Sequence, residues 1–266
     1  MGRFIITHHN ARKERGNMEK ILVHSYKGGT GKTTIALNTS SLLANNNRVL
    51  LVENDFLMPS FFAIFKQEPA LHFNDYFNGN ASLEEIIVRD VKPNLDAIFT
   101  NKKFDPNEKI MGSDQGWFLA KLETLMEDFG KLETKYDYVI FDTPPGWHLI
   151  VVNLIMLSSK AVLILRPNSF AVEGTKRMVE ILYKRARPMK SWEVYLLFNQ
   201  VPEIDMAADL DKWAGEFQEE GIKYAGNISC SCQNSYQMAH EATIFPPEHE
   251  FNRSLQESLE RLLESS

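Results

Sequence analysis

The stretch Ile21-Leu-Val-His-Ser-Tyr-Lys-Gly-Gly-Thr-Gly-Lys-Thr-Thr34 decides the fold. An apolar run from Ile21 to Ser25 reads as a buried strand, and it ends in a loop rich in glycine. Helical periodicity follows at once, with Ile35, Leu37, Leu42 and Leu43 recurring between Thr33 and Asn45. Gly28, Gly29 and Gly31 let the backbone between strand and helix bend tightly and turn its N–H groups inward, which makes a nest for anions. The helix opening near Thr33 adds the positive end of its dipole. Thr30 and Thr34 lie in the same turn. Lys32 can neutralise β- and γ-phosphates there, and the Thr33 hydroxyl can hold Mg²⁺.

Further strands follow at residues 48–52, 94–99, 136–141, 161–165, 194–198 and 223–228, and helices read over about 115–129, 171–187, 206–219 and 252–263. Continuous apolar strands alternating with helices predict an α/β protein: one doubly wound, mostly parallel sheet of about seven or eight strands, covered on both faces. The 266 residues, 44% apolar and 24% charged, are enough for a packed core and exclude collagen, low-complexity coil and wholesale disorder. Residues 1–17 carry Arg3, Arg12, Lys13 and Arg15 with little apolar content and read as a loose arm. Residues 18–266 read as one domain. No apolar run is long enough to span a bilayer. The opening residues lack a secretory pattern, and the two cysteines, Cys230 and Cys232, sit too close for an ordinary staple. A reducing, cytoplasmic setting is therefore expected.

The loop departs from G-x-x-x-x-G-K-[ST] in one way: Tyr26 stands at the first glycine, and a second lysine, Lys27, follows it. This resembles the deviant Walker motif of the ParA/MinD ATPases. Val49-Leu-Leu-Val-Glu-Asn-Asp55 with Pro59-Ser60 resembles that family's D-x-D strand motif, with Glu53 in place of the first Asp. Tyr138-Val-Ile-Phe-Asp-Thr-Pro-Pro-Gly146 resembles its Walker B and switch II segment, and Arg166–Arg177 and Phe198-Asn-Gln200 resemble further landmarks. The resemblance implies a P-loop ATPase using ATP and Mg²⁺, with Asp142 reaching the metal, Asp55 near it and orienting the attacking water, and Gly146 sensing the γ-phosphate. It also implies that Asn199 bonds the adenine ring. Lys27 would cross to the nucleotide of a second copy, so the working form would be an ATP sandwich dimer, stimulated by a separately encoded partner.

Three cargoes stand open. Lys176, Arg177, Lys184, Arg185, Arg187 and Lys190, with Glu180 the one acid among them, could bind DNA without sequence preference in a ParA-like organiser. The tail from Phe251 to Leu263 has the apolar stripe of a MinD-like membrane helix, but its polar face carries Glu257, Glu260 and Glu264, which anionic lipid would repel. The stripe is expected to pack on the sheet instead. Cys230 and Cys232 could pair across a dimer to hold metal or an Fe–S cluster, although C-x-C is a weak match for such carriers. His24, inside the first strand, reads as a satisfied core histidine, and the aromatic cluster Phe56 to Phe65 as core or as a partner loop.

Overall fold

The computed structural model describes residues 18–103, 115–230 and 244–264; the basic arm and Cys232 lie outside them. In chain order the elements are β1 (Glu19–His24), α1 (Lys32–Leu43), β2 (Val49–Glu53), α2 (Phe61–Phe65), α3 (Phe73–Asn78), β3 (Ile87–Lys92) and β4 (Leu95–Ile98). Then come α4 (Gln115–Gly130), β5 (Tyr138–Asp142), α5 (Leu149–Leu157), β6 (Lys160–Leu165) and α6 (Ser169–Met178). After α6 the chain makes a π-helical turn over Val179–Tyr183 and a last short turn over Lys184–Met189. It ends with β7 (Glu193–Val201), α7 (Ala207–Glu219), β8 (Lys223–Ser229) and α8 (Glu250–Leu263).

Among the described residues eight strands form one sheet in the order β3-β4-β2-β5-β1-β6-β7-β8, in which only the edge pair β3–β4 is antiparallel. The doubly wound expectation holds, and its physical origin is visible in β1. Leu22 faces one apolar cluster with α4, α5, α6 and α7, while Ile21 and Val23 face a second cluster with α1 and α8. A strand buried on both faces needs an apolar residue at every position, which is why β1, β2, β5 and β6 read as unbroken runs. Tail helix α8 buries Phe251, Leu255, Leu259 and Leu262 in the second cluster and leaves Glu257 and Glu260 exposed. Its stripe is spent on the sheet.

Register positions the site. Asp142 pairs with Val23 of β1 on one side and with Glu53 of β2 on the other. The carboxyl ends of the three central strands therefore lie level, and the chain leaves β1 between β5 and β6, where successive connections diverge. Ligands of such sheets bind in the crevice above that point. The aromatic cluster is mostly core: Phe56 packs on Phe73 and Phe77, and Phe61 on Phe99, whereas Leu57 and Met58 between them are exposed.

Candidate functional site

The loop after β1 is braced from outside by side chains. Ser25 Oγ donates to the Lys27 carbonyl at 2.7 Å, Gln200 Nε2 to Gly29 O at 3.2 Å and Asn199 Nδ2 to Thr30 O at 2.8 Å. Gly31, the residue before α1, has φ +91°, and a β-carbon there would fall 2.3 Å from Asn199 Nδ2. Only glycine lets β7 approach this closely in a left-handed conformation. The buried Asn199 amide thus ties β7 to the loop through one of its N–H groups. Tyr26 also has a seat that sequence reasoning missed. A β-carbon on Gly174 would lie 2.0 Å from Tyr26 Cε1, so the ring occupies the notch that this glycine leaves on α6.

The carboxylate side is built by β2 and β5. Asp142 is 2% exposed, the Thr33 hydroxyl bonds it, and its Oδ1 has no hydrogen-bond partner among the described residues. Burial pushes its carboxyl up to about 7, opposed by the Thr33 hydrogen bond and by Lys32. Lys32 is itself buried; desolvation lowers its ammonium, and Asp142 and Asp55 pull it back up. Thr143 Oγ1 donates to Val23 O at 2.8 Å and fixes the turn out of β5. Asp55 Oδ1 accepts from the N–H groups of Leu57 at 3.3 Å and Met58 at 3.0 Å, which holds the carboxylate at the mouth of the crevice.

Glu53, the departure from D-x-D, is not in the crevice. Its Oε1 accepts from the N–H groups of Ser60 and Phe61 at the start of α2, and its Oε2 accepts from Thr100 N at 3.0 Å. The longer side chain staples the Asp55 loop to β4, and burial raises its carboxyl to about 7. Gly146 has φ +72°; its N–H donates to Ser25 O at 2.8 Å and its carbonyl lies 2.8 Å from His24 Nε2. Lys27 is exposed and makes no ion pair among the described residues.

Residues 18–191 match the AAA_31 family model, described as an AAA domain. The chain belongs to the AAA_31 family. An uncharacterized ATP-binding protein of Methanocaldococcus jannaschii is 32% identical over 128 residues, covering 48% of this chain and 44% of that one. A ParA family protein of Chlamydia trachomatis is 28% identical over 169 residues, covering 62% and 65%. The aligned part of this AAA_31 chain therefore spans about half to two thirds of those relatives' own lengths. In fold it is similar to the septum site-determining protein MinD of Pyrococcus horikoshii, solved with Mg-ADP, at TM-score 0.74 and 19% identity over 93% and 97% of the two chains. The chain is of the ParA/MinD type, as its deviant Walker motif implied.

The basic residues of this AAA_31 protein do not form the row that their spacing suggested. Lys176 pairs with Glu173 and Glu216, and Lys184 with Glu180 and Glu220; Glu216 and Glu220 come from α7 and the residue after it. Arg187 donates to Gly221 O at 3.0 Å. Lys190 is half-buried, and its ammonium caps the end of α5 through the carbonyls of Ile155, Met156 and Ser158. Arg177 and Arg185 are left exposed, with no ion pair among the described residues. Cys230 is a free thiol, half-buried at the end of β8. Among the described residues no helix is long and apolar enough to cross a membrane, and no cluster of three or more His, Cys, Asp or Glu could hold a metal.

Proposed function

We propose that this chain binds Mg-ATP in the loop between β1 and α1 and hydrolyses it slowly as a nucleotide-dependent dimer, a positioning switch of the ParA/MinD type. The observation that carries the reading is the buried Asp142 carboxylate, with an orphaned oxygen beside the Thr33 hydroxyl and the Lys32 ammonium. A group so buried costs stability unless a ligand completes its coordination. Thr33 and Asp142 would hold Mg²⁺, and Lys32 and the glycine-rich backbone would hold the phosphates. A metal held there would supply charge neutralisation at the phosphates. Asp55 orients the attacking water from the mouth of the crevice, and most of the rate gain in such chemistry comes from that positioning.

Lys27, exposed, supports the dimer: its ammonium makes no ion pair among the described residues. Tyr26, Leu57, Met58, Trp147 and Phe170, all exposed on segments flanking the crevice, offer a second copy apolar surface to cover. DNA is the cargo we favour; the ion pairs to Glu216 and Glu220 occupy Lys176 and Lys184 and leave Arg177, Arg185 and Arg187 exposed with no acidic partner among the described residues.

Sedimentation and turnover of the parent and Lys27→Ala, with Mg-ATP, Mg-ADP and added duplex DNA, test the reading. The parent pairs only with ATP, and Lys27→Ala loses at least about tenfold in turnover. A variant that pairs and turns over like the parent removes the cross-subunit lysine. Unchanged ATP-dependent DNA retention in an Arg177→Ala/Arg185→Ala/Arg187→Ala triple variant removes this surface as the DNA site.

A further inference from the structure

His24 is fully buried in β1, one residue before the loop turns, and the ATP reading gives it no task. Both ring nitrogens are nevertheless engaged. Nε2 lies 2.8 Å from Gly146 O and Nδ1 lies 2.7 Å from the Tyr183 hydroxyl. A carbonyl can only accept, so Nε2 carries the proton; Nδ1 then offers a lone pair, and Tyr183 donates to it. One arrangement of protons satisfies all three groups. Burial keeps the imidazole neutral by lowering its pKa to about 4.

The two ends of this bridge differ in kind. Gly146 is the glycine expected to sense the γ-phosphate, yet its N–H is already given to Ser25 O at 2.8 Å. A phosphate that claims this N–H must compete with that carbonyl, and at φ +72° glycine has the freedom to swing. The neighbouring peptide, whose oxygen His24 holds, moves with it. Tyr183 closes the π-helical turn Val179–Tyr183, where one extra residue interrupts the helix after β6. Such turns are rare and often lie at functional sites. The Tyr183 ring stacks on Trp192 at 5.3 Å with the planes 1° apart, and Lys190 Nζ sits 5.1 Å over the Trp192 ring while capping α5. Helix α5 begins three residues after Gly146. The contacts therefore form a closed circuit, from Gly146 through His24, Tyr183, Trp192 and Lys190 back to the helix that Gly146 leads into.

We propose that His24 and Tyr183 are positioning residues that latch the Gly146 peptide while its N–H serves Ser25 O, and that carry its release by a γ-phosphate to the π-helical turn and the surface it supports. The proposal rests on the ATP reading and deepens it. It makes the π turn the second position of a two-state element, biased by whether Gly146 serves Ser25 or the phosphate. The surface at its far end carries Arg185 and Arg187, so a partner bound there would report on the nucleotide, and by reciprocity would alter its affinity.

The test uses the full chain labelled with 5-fluorotryptophan, whose four tryptophans give four ¹⁹F resonances. Trp192→Phe identifies the one that matters. Calorimetry measures Mg-AMPPNP and Mg-ADP binding to the same samples. The Trp192 resonance is expected to shift with Mg-AMPPNP and not with Mg-ADP. Tyr183→Phe, which removes only the hydroxyl, is expected to abolish that shift while still binding Mg-AMPPNP, and to lower the AMPPNP-over-ADP preference by about fivefold or more. Should Tyr183→Phe fail to fold, His24→Gln takes its place: the amide keeps a donor for Gly146 but cannot bridge to Tyr183 as well, and the same loss of the Trp192 shift is expected. A Trp192 resonance that ignores bound Mg-AMPPNP, or a shift that survives in the variant that folds, overturns the latch alone. A parent that binds no nucleotide overturns the ATP reading and the latch together.

Discussion

Acid should weaken this protein through His24, and the effect can be worked from the geometry. In the native state the imidazole is fully buried between Tyr183 and Gly146, and desolvation lowers its pKa to about 4 from an unfolded value of 6.5. Above pH 6.5 neither state is protonated and the buried ring costs nothing by this route. Between pH 6.5 and 4 the unfolded chain takes up a proton that the native chain refuses, so stability falls as pH falls. At about 1.4 kcal/mol per pH unit, bringing the solution from pH 7 to pH 5 removes about 2 kcal/mol. Glu53 and Asp142, both raised to about 7, act with the opposite sign, because each keeps a proton in the native state that the unfolded chain has lost. His24→Gln separates the terms, since it retains both carboxyls and removes the ring that titrates. Urea unfolding followed by circular dichroism at pH 7 and pH 5 gives the four stabilities required. The parent should lose about 2 kcal/mol more than His24→Gln on acidification. Equal losses in the two proteins would refute the reasoning, because they would mean that the ring is free to take a proton in place.

Two further outcomes follow from the loops. In Gly174→Ala the new β-carbon would lie 2.0 Å from Tyr26 Cε1, so the ring must leave its notch. Thermal unfolding should report a loss of about 1–3 kcal/mol, and adding Tyr26→Ala should cancel most of the penalty of the alanine. Glu53→Ala leaves the N–H groups of Ser60, Phe61 and Thr100 without their acceptor. At about 1–3 kcal/mol for a buried donor left unpaired, the variant should lose at least about 2 kcal/mol, and amide exchange should accelerate at those three positions ahead of the rest of the sheet.

Much of the fold was legible because β1, β2, β5 and β6 are buried on both faces and announce themselves as apolar runs. Strand β3 was not, and the reason is physical. As an antiparallel edge it carries Arg89, Asp90 and Lys92, and its three apolar residues, Ile87, Val88 and Val91, follow no strict alternation. Helix α5, Leu-Ile-Val-Val-Asn-Leu-Ile-Met-Leu, escaped for the opposite reason: it is apolar almost all round, so no 3.6-residue period stands out. At the site, Lys32, Thr33 and Asp142 come together, because the loop after β1 opens α1 directly above the end of β5, whose register with β1 sets Asp142 beside Val23. The ion pairs of the basic row were not legible, since Glu216 and Glu220 arrive from α7 and the residue after it, some thirty-six to forty residues later. The use made of Asn199 and His24 was equally invisible: each spends its side chain on a backbone carbonyl, of Thr30 and of Gly146, that no spacing encodes.

The claim beneath the whole account is that Asp142 and Thr33 wait for a metal that arrives with a triphosphate. Calorimetric titration of ATP into the parent and into Asp142→Asn, each with and without Mg²⁺, tests it most directly. The parent should bind ATP more tightly when Mg²⁺ is present, and Asp142→Asn should bind without that gain. A parent that takes up no ATP, or a variant that keeps the full benefit of Mg²⁺, would contradict it.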